Sequence, residues 1–128
     1  MSETLERQLQ ALWGEYEVPS LAGIKRRIAF IGPLASCGMA IDDGHVTLSP
    51  DISNADCVVR SDERALLMKL VMGEANLVTT LLQGRIAVEG DPMLAVEVAG
   101  SMPDLGHRFA EKLAAQKQEG ETAWPATP

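Results

Sequence analysis

Aromatic side chains make up only 4% of these 128 residues, and no long uncharged run makes up for them. The longest such stretch, IAFIGPLASCGMAI, is interrupted by Gly32-Pro33 and Gly38. It falls short of the ~20 apolar residues that a membrane-spanning helix requires. Integral membrane association is therefore not expected, although transient contact with a membrane surface stays open. Basic clusters are just as scarce. None exceeds Lys25-Arg26-Arg27, and the net charge is −7. A phosphate backbone demands a basic face, so nucleic acid is excluded as an expected partner, and anionic membrane is disfavoured for the same reason. The two cysteines, Cys37 and Cys57, lack metal-ligand spacing. Each falls in an alternating pattern on the side of apolar neighbours, which predicts buried free thiols rather than a disulfide. The opening MSETLERQLQ is too polar and acidic for a secretory signal, and a cytoplasmic location is expected.

What the chain does have is aliphatic mass. Hydrophobic residues reach 46%, carried by Leu, Val, Ala and six Met. Methionine is flexible and polarizable, so it either fills gaps in an aromatic-poor core or lines one that adapts to variable shapes. The length predicts a single domain over 1–115, followed by a flexible, turn-rich tail, QKQEGETAWPATP, over 116–128. A chain this size buries roughly two-thirds of its unfolded surface, enough for a core without staples.

Leu5, Leu9, Leu12, Trp13 and Tyr16 recur at helical spacing and predict an amphipathic helix from about 3 to 16. Strand grammar follows. Ile28 and Phe30 share a face, Cys37, Met39 and Ile41 alternate with smaller residues, and Asp42-Asp43-Gly44 makes a hairpin turn into Val46 and Leu48. A fourth strand is expected near 55–60. Ser61 then caps a helix with Leu66, Leu67, Leu70 and Val71 inward, ending near Gly73. A second helix over about 75–83 carries Leu77, Val78, Leu81 and Leu82, and Ile86 and Val88 mark a fifth strand. Asp91 as cap and Pro92 as first helical residue open a helix that is apolar on most sides. Asp104 caps a last one, with Leu105, Phe109 and Leu113 in line. Strands early and helices late, around one antiparallel meander, point to the α+β class.

The stretch ADCVVRSDERALLMKLVMGEANLVTTLLQGRIAVEGDPMLAVEV, residues 55–98, resembles the C-terminal half of the sterol carrier protein type 2 domain, a family of non-specific lipid transfer proteins. The matching positions are the acidic helix start Ser61–Glu63, Gly73, Gln83-Gly84, the basic Arg85, the alternating Ile86 and Val88, and Gly90-Asp91. The aromatic often found ahead of Gln-Gly in that family is replaced here by Leu81-Leu82, so no ligand preference carries over. The resemblance implies a five-stranded, mostly antiparallel sheet covered by helices, with a hydrophobic tunnel between them. It also implies binding of sterols, fatty acyl chains and other lipids without strict choice.

Such a tunnel would be lined by Leu66, Leu70, Val71, Leu77, Leu81, Met93, Leu94, Val98, Met102 and Phe109, with Phe30 and Met39 from the sheet. Any one of these would serve equally as ordinary core. Gln83 is the polar group expected near a ligand head, or else it caps its own helix end. His45 is expected on the outward side of its strand beside Thr47, and His107 in an exposed first helical turn. No Ser-centred elbow, phosphate loop, dinucleotide fingerprint or metal-ligand set occurs, so no catalytic residue, cofactor or metal is assigned. Three readings remain. The first is a carrier of an apolar small molecule: fatty acyl, sterol-like, isoprenoid or polyketide. The second is an accessory biosynthetic enzyme whose pocket positions such a substrate. The third is a homo-oligomer that uses its apolar helices as an interface.

Overall fold

The structure is a computed structural model that describes Arg7 and residues 9–122, with side chains described through residue 115. The described end of the first helix, α1, covers 9–12. Then come β1 (Gly14–Glu17), a 3-10 turn (Pro19–Leu21), β2 (Lys25–Ile31), β3 (Ser36–Asp42), β4 (His45–Ser49) and β5 (Cys57–Arg60). Helices α2 (Leu66–Val71) and α3 (Leu77–Leu82), strand β6 (Ala87–Gly90), and helices α4 (Pro92–Ala99) and α5 (Met102–Thr122) complete the order. The strands form one sheet in the order β1-β4-β3-β2-β5-β6. The β2–β5 pair is parallel and every other pair is antiparallel. The α+β architecture is the expected one, with six strands instead of five.

The extra strand replaces the last turn of the expected first helix. The chain leaves α1 after Leu12, and Gly14, at φ +146°, starts β1. The helical spacing of Leu9, Leu12 and Tyr16 was real, because all three side chains are buried together. A strand meets the same demand here. Glu15, Tyr16, Glu17 and Val18 alternate out and in, and Tyr16 lies opposite Val46 in the register with β4. The tyrosine hydroxyl donates to the Leu12 carbonyl, and the ring meets Phe109 edge-on at 4.7 Å between centroids. Expected and observed elements differ less elsewhere. The 61–73 helix shortens to α2, whose cap position is Ala65 and not Ser61; Ser61 instead turns the chain ahead of it by accepting from the Glu63 amide at 3.1 Å. Helix α5 begins at Met102 rather than Asp104 and runs through Thr122, past the boundary drawn at 115. Leu5 lies outside the described residues.

One face of the sheet makes the core. Side chains at opposed positions point the same way: Phe30 with Cys37 and Val59, Ile28 with Met39 and Cys57, Ile41 with Val46, and Met39 with Leu48. A one-residue slip would turn all of them to solvent, which is why the register is firm. Helices α2, α4 and α5 close this face with Leu66, Leu67, Leu70, Val71, Leu94, Val98, Leu105 and Phe109. Both cysteines are free and buried, as expected, and burial pushes the Cys37 thiol up to about 12.

Two glycines are fixed by close approach. A Cβ on Gly106 would lie 1.7 Å from the Met72 carbonyl oxygen, so α5 crosses the end of α2 backbone to backbone. A Cβ on Gly38 would lie 1.8 Å from the Asp51 carbonyl oxygen, because the 50–54 loop crosses the outer face of the sheet there. Asp91 caps α4 by accepting from the Met93 amide at 3.0 Å, and Arg26 holds the same carboxylate at 2.8 Å. The start of α4 is thereby tied to β2.

Candidate functional site

The residues expected to line a tunnel divide into two groups. Phe30, Met39, Leu66, Leu70, Val71, Leu77, Leu94, Val98, Met102 and Phe109 are buried in one continuous core cluster. They come from the sheet and from all four helices α2–α5, so the structure brings them together. Leu81 is half-buried against that cluster. Gln83 and Met93 are exposed, Met93 at 59%. The second helix also turns differently than its pattern implied. Leu82 is 82% exposed, and Thr80 is buried in its place. The helix tolerates that threonine because its hydroxyl donates to backbone carbonyls of Asn76 and Leu77, at 2.9 and 3.0 Å. Asn76 caps the helix by accepting from the Thr79 amide at 3.0 Å.

Two hollows, both open to solvent, flank the α2–α3 segment. One, of about 310 Å³, lies between α2 and α3 and is lined by Leu66, Lys69, Glu74, Ala75, Asn76, Thr79, Thr80, Gln83 and Arg85. The other, of about 410 Å³, lies beyond the C-terminal ends of β2 and β5. Its walls are Ile31, Gly32, Pro33, Arg60, Ser61, Asp62, Gly84, Arg85, Ile86 and Ala87. Leu66 and Gln83 are the members of the expected lining set that face these spaces. A third hollow, of about 350 Å³, is lined by Leu9, Gln10, Trp13, Ala35, Ser36 and Pro50.

Arg85 belongs to both of the flanking hollows. The turn that presents it is made by Gln83, the C-cap of α3, and by Gly84 at φ +73°, a left-handed conformation that glycine adopts without strain. Its guanidinium grips Glu63 with two bonds, Nε to Oε2 at 3.0 Å and Nη2 to Oε1 at 2.8 Å. These hydrogen bonds hold the Glu63 carboxyl below the usual carboxylate range and the guanidinium above its own. Across the second hollow, Arg60 donates from Nε to Glu89 at 2.6 Å. The hollow beyond β2 and β5 has Ile31, Pro33 and Ile86 as apolar wall residues beside Arg60 and Arg85, whereas the hollow between α2 and α3 is walled mostly by polar residues, with Leu66 and Ala75 the apolar ones. Arg85 was visible in the sequence as the basic residue after Gln83-Gly84. Its position between two cavities was not, because that depends on where residues 60–63 return in space.

Other candidate chemistry is structural. Asp43, at φ +52°, and Gly44 make the expected hairpin turn, and Asp43 accepts from the Gly23 amide at 2.7 Å. His45 sits on the outer face as expected, between Glu17 at 2.6 Å and Glu15 at 2.5 Å. Those two hydrogen bonds raise its pKa above the usual 6.5. His107 is exposed, with Glu111 at 3.6 Å. Among the described residues, no group of His, Cys, Asp or Glu is arranged to hold a metal ion. No described helix is long and apolar enough to cross a membrane.

Comparison with known proteins agrees with this architecture. Residues 4–102 match the SCP-2 sterol transfer family. No curated protein matches the sequence. Among solved structures, sterol carrier protein 2 superimposes with a TM-score of 0.54 at 13% identity, over 81% of this chain and 91% of that one. A Thermus thermophilus protein, TT1886, described as possibly a sterol carrier protein, gives 0.53 at 11% identity, over 83% and 78%. The stereoselective inverting sec-alkylsulfatase Pisa1 from Pseudomonas sp. gives 0.53 at 17% identity, with 64% of this chain covered but only 13% of that protein. At these identities the likeness is one of fold.

Proposed function

Because the chain belongs to the SCP-2 sterol transfer family, we propose that it binds and transfers an apolar small molecule between the sheet and its covering helices. The ligand classes that fit are fatty acyl chains, sterol-like molecules, isoprenoids and polyketides. The observation that carries this reading is the chemistry of the layer where sheet and helices meet. Phe30, Met39, Leu66, Leu70, Val71, Leu77, Leu94, Val98, Met102 and Phe109 form it together, and Thr80 and Ser101 are the buried polar residues among those described. A guest in that layer is held by desolvation alone, and desolvation does not discriminate between ligand shapes.

The magnitudes are adequate. Each buried methylene stabilises by about 0.8 kcal/mol, so ten to twelve carbons supply roughly 8–10 kcal/mol before ordering costs. Micromolar affinity needs about 8 kcal/mol net, so once ordering costs are subtracted desolvation alone gives binding weaker than micromolar. Entry requires the helices to part from the sheet. Helix α4, tied to β2 at its start and with Met93 and Val96 already 59% and 46% exposed, would swing about that tie.

Native mass spectrometry of the purified chain, with solvent extraction and displacement of an environment-sensitive fluorescent fatty acid, tests the proposal. A co-purifying apolar molecule and saturable displacement are the expected results. Repeated recovery of empty protein that fails to bind the probe would remove the carrier reading.

A further inference from the structure

The two hollows that flank α2 and α3 share a single wall residue, Arg85. Arg85 lines both the space bordered by Leu66 and Ala75 and the one bordered by Ile31 and Ile86. Glu63 holds it there through a fork-to-fork pair at 2.8 and 3.0 Å. Both side chains of the pair are 41% exposed.

Resting on the carrier reading above, we propose that Arg85 is the specificity-determining residue of the site: it selects amphiphiles with a carboxylate head, which replace Glu63 on the guanidinium at the mouth while the apolar chain runs past the adjoining hollow into the layer between sheet and helices. The exchange is chemically even. A planar guanidinium presents the same fork to any carboxylate, so a ligand head makes the two bonds that Glu63 gives up. The cation is never left unpaired, which is the outcome that makes breaking an ion pair expensive. Glu63 in turn swings into water, which it already touches, so its release costs little. A neutral head makes no such exchange, because it would have to leave the Arg85–Glu63 pair standing as a partition or separate it without compensation. The pair therefore sorts ligands by head-group charge, and the core layer remains indifferent to the shape of the chain.

Dodecanoate and dodecanol, equal in chain and different in head, are the probes, titrated against the full chain at constant ionic strength. The wild-type protein binds dodecanoate about tenfold more tightly than dodecanol, because only the acid takes the place of Glu63 and opens the partition. Arg85→Gln brings that ratio close to one, and Arg85→Lys, which keeps the charge and loses the fork, gives a value between. Glu63→Gln removes the internal competitor and raises dodecanoate affinity. Thermal melting verifies that each variant is folded, and Glu63→Gln decides the matter if Arg85→Gln is not. Equal binding of acid and alcohol to the wild type, or a preference that survives Arg85→Gln, overturns the role of Arg85 and leaves the carrier reading intact. Binding of neither probe overturns both. Acetate that displaces dodecanoate at matching concentration identifies a site for free carboxylates and overturns the assignment to amphiphiles.

Discussion

The β2–β3–β4 meander and the α2–α3 segment solve the same problem, burying leucine-rich sequence, with very different firmness. The meander pairs seven residues of β2 with seven of β3, and each inward side chain is fixed by its neighbour across the register. The α2–α3 segment has two helices of six residues each, too short to be stable alone. It docks on the core through Leu66, Leu67, Leu70, Val71 and Leu77, its two flanks are joined by the exposed Arg85–Glu63 pair, and Leu82 is left 82% exposed. The frame of this molecule lies in the register of its strands. Its capacity to adjust lies where the helices are short, and the flanking hollows are found there.

Mutations can break that contrast. Truncating the frame should cost most. Phe30→Ala removes a fully buried ring opposite Cys37 and Val59, and an unfolding free energy lower by about 3–5 kcal/mol is expected in urea denaturation. Gly106→Ala tests the junction between the two regions. Its Cβ would press on the Met72 carbonyl, and α5 must shift off the end of α2 at a cost of about 1–3 kcal/mol. Amide exchange should then quicken in α2 more than in β3.

Smaller effects sharpen the comparison at the edges. At the far edge of the frame, His45 bridges Glu17 on β1 and Glu15 two residues before it. Its folded pKa lies above the usual 6.5, so the bridge contributes fully below that pH and is lost as pH rises through the folded value. Stability should therefore decline above about pH 6.5. The decline should flatten in His45→Gln, and an imidazole titration followed by NMR gives the shifted midpoint directly. Leu82→Ser should change stability least, within about 0.5 kcal/mol, because the side chain is already in water. A loss comparable to that of Phe30→Ala would mean that α3 is as firmly packed as the meander.

Much of this architecture was legible because short-range chemistry and tertiary demand agreed. Asp42-Asp43-Gly44 favours a hairpin turn and Asp91-Pro92 a helix start on local conformational grounds, and both behave so here. The misreadings came where two patterns overlapped. Leu9, Leu12 and Tyr16 satisfy a helical period, while Glu15 to Val18 satisfies a strand period. Gly14 decides between them by making an edge strand for β4 available. Leu82 and Thr80 exchange sides because α3 packs on α4 through a face that its own apolar stripe does not mark.

By itself the sequence determined the α+β class, the Asp43-Gly44 hairpin, the Asp91 cap and most of the buried side chains of the core, since each follows from periodicity and local conformational cost. Only the tertiary structure decided that a sixth strand closes the sheet, that Gln83 and Met93 face solvent, and that Arg85 stands between two hollows against Glu63. The physical reason is distance along the chain. Residues 63 and 85 are brought together by the packing of two helices and a strand, and no local propensity encodes that encounter.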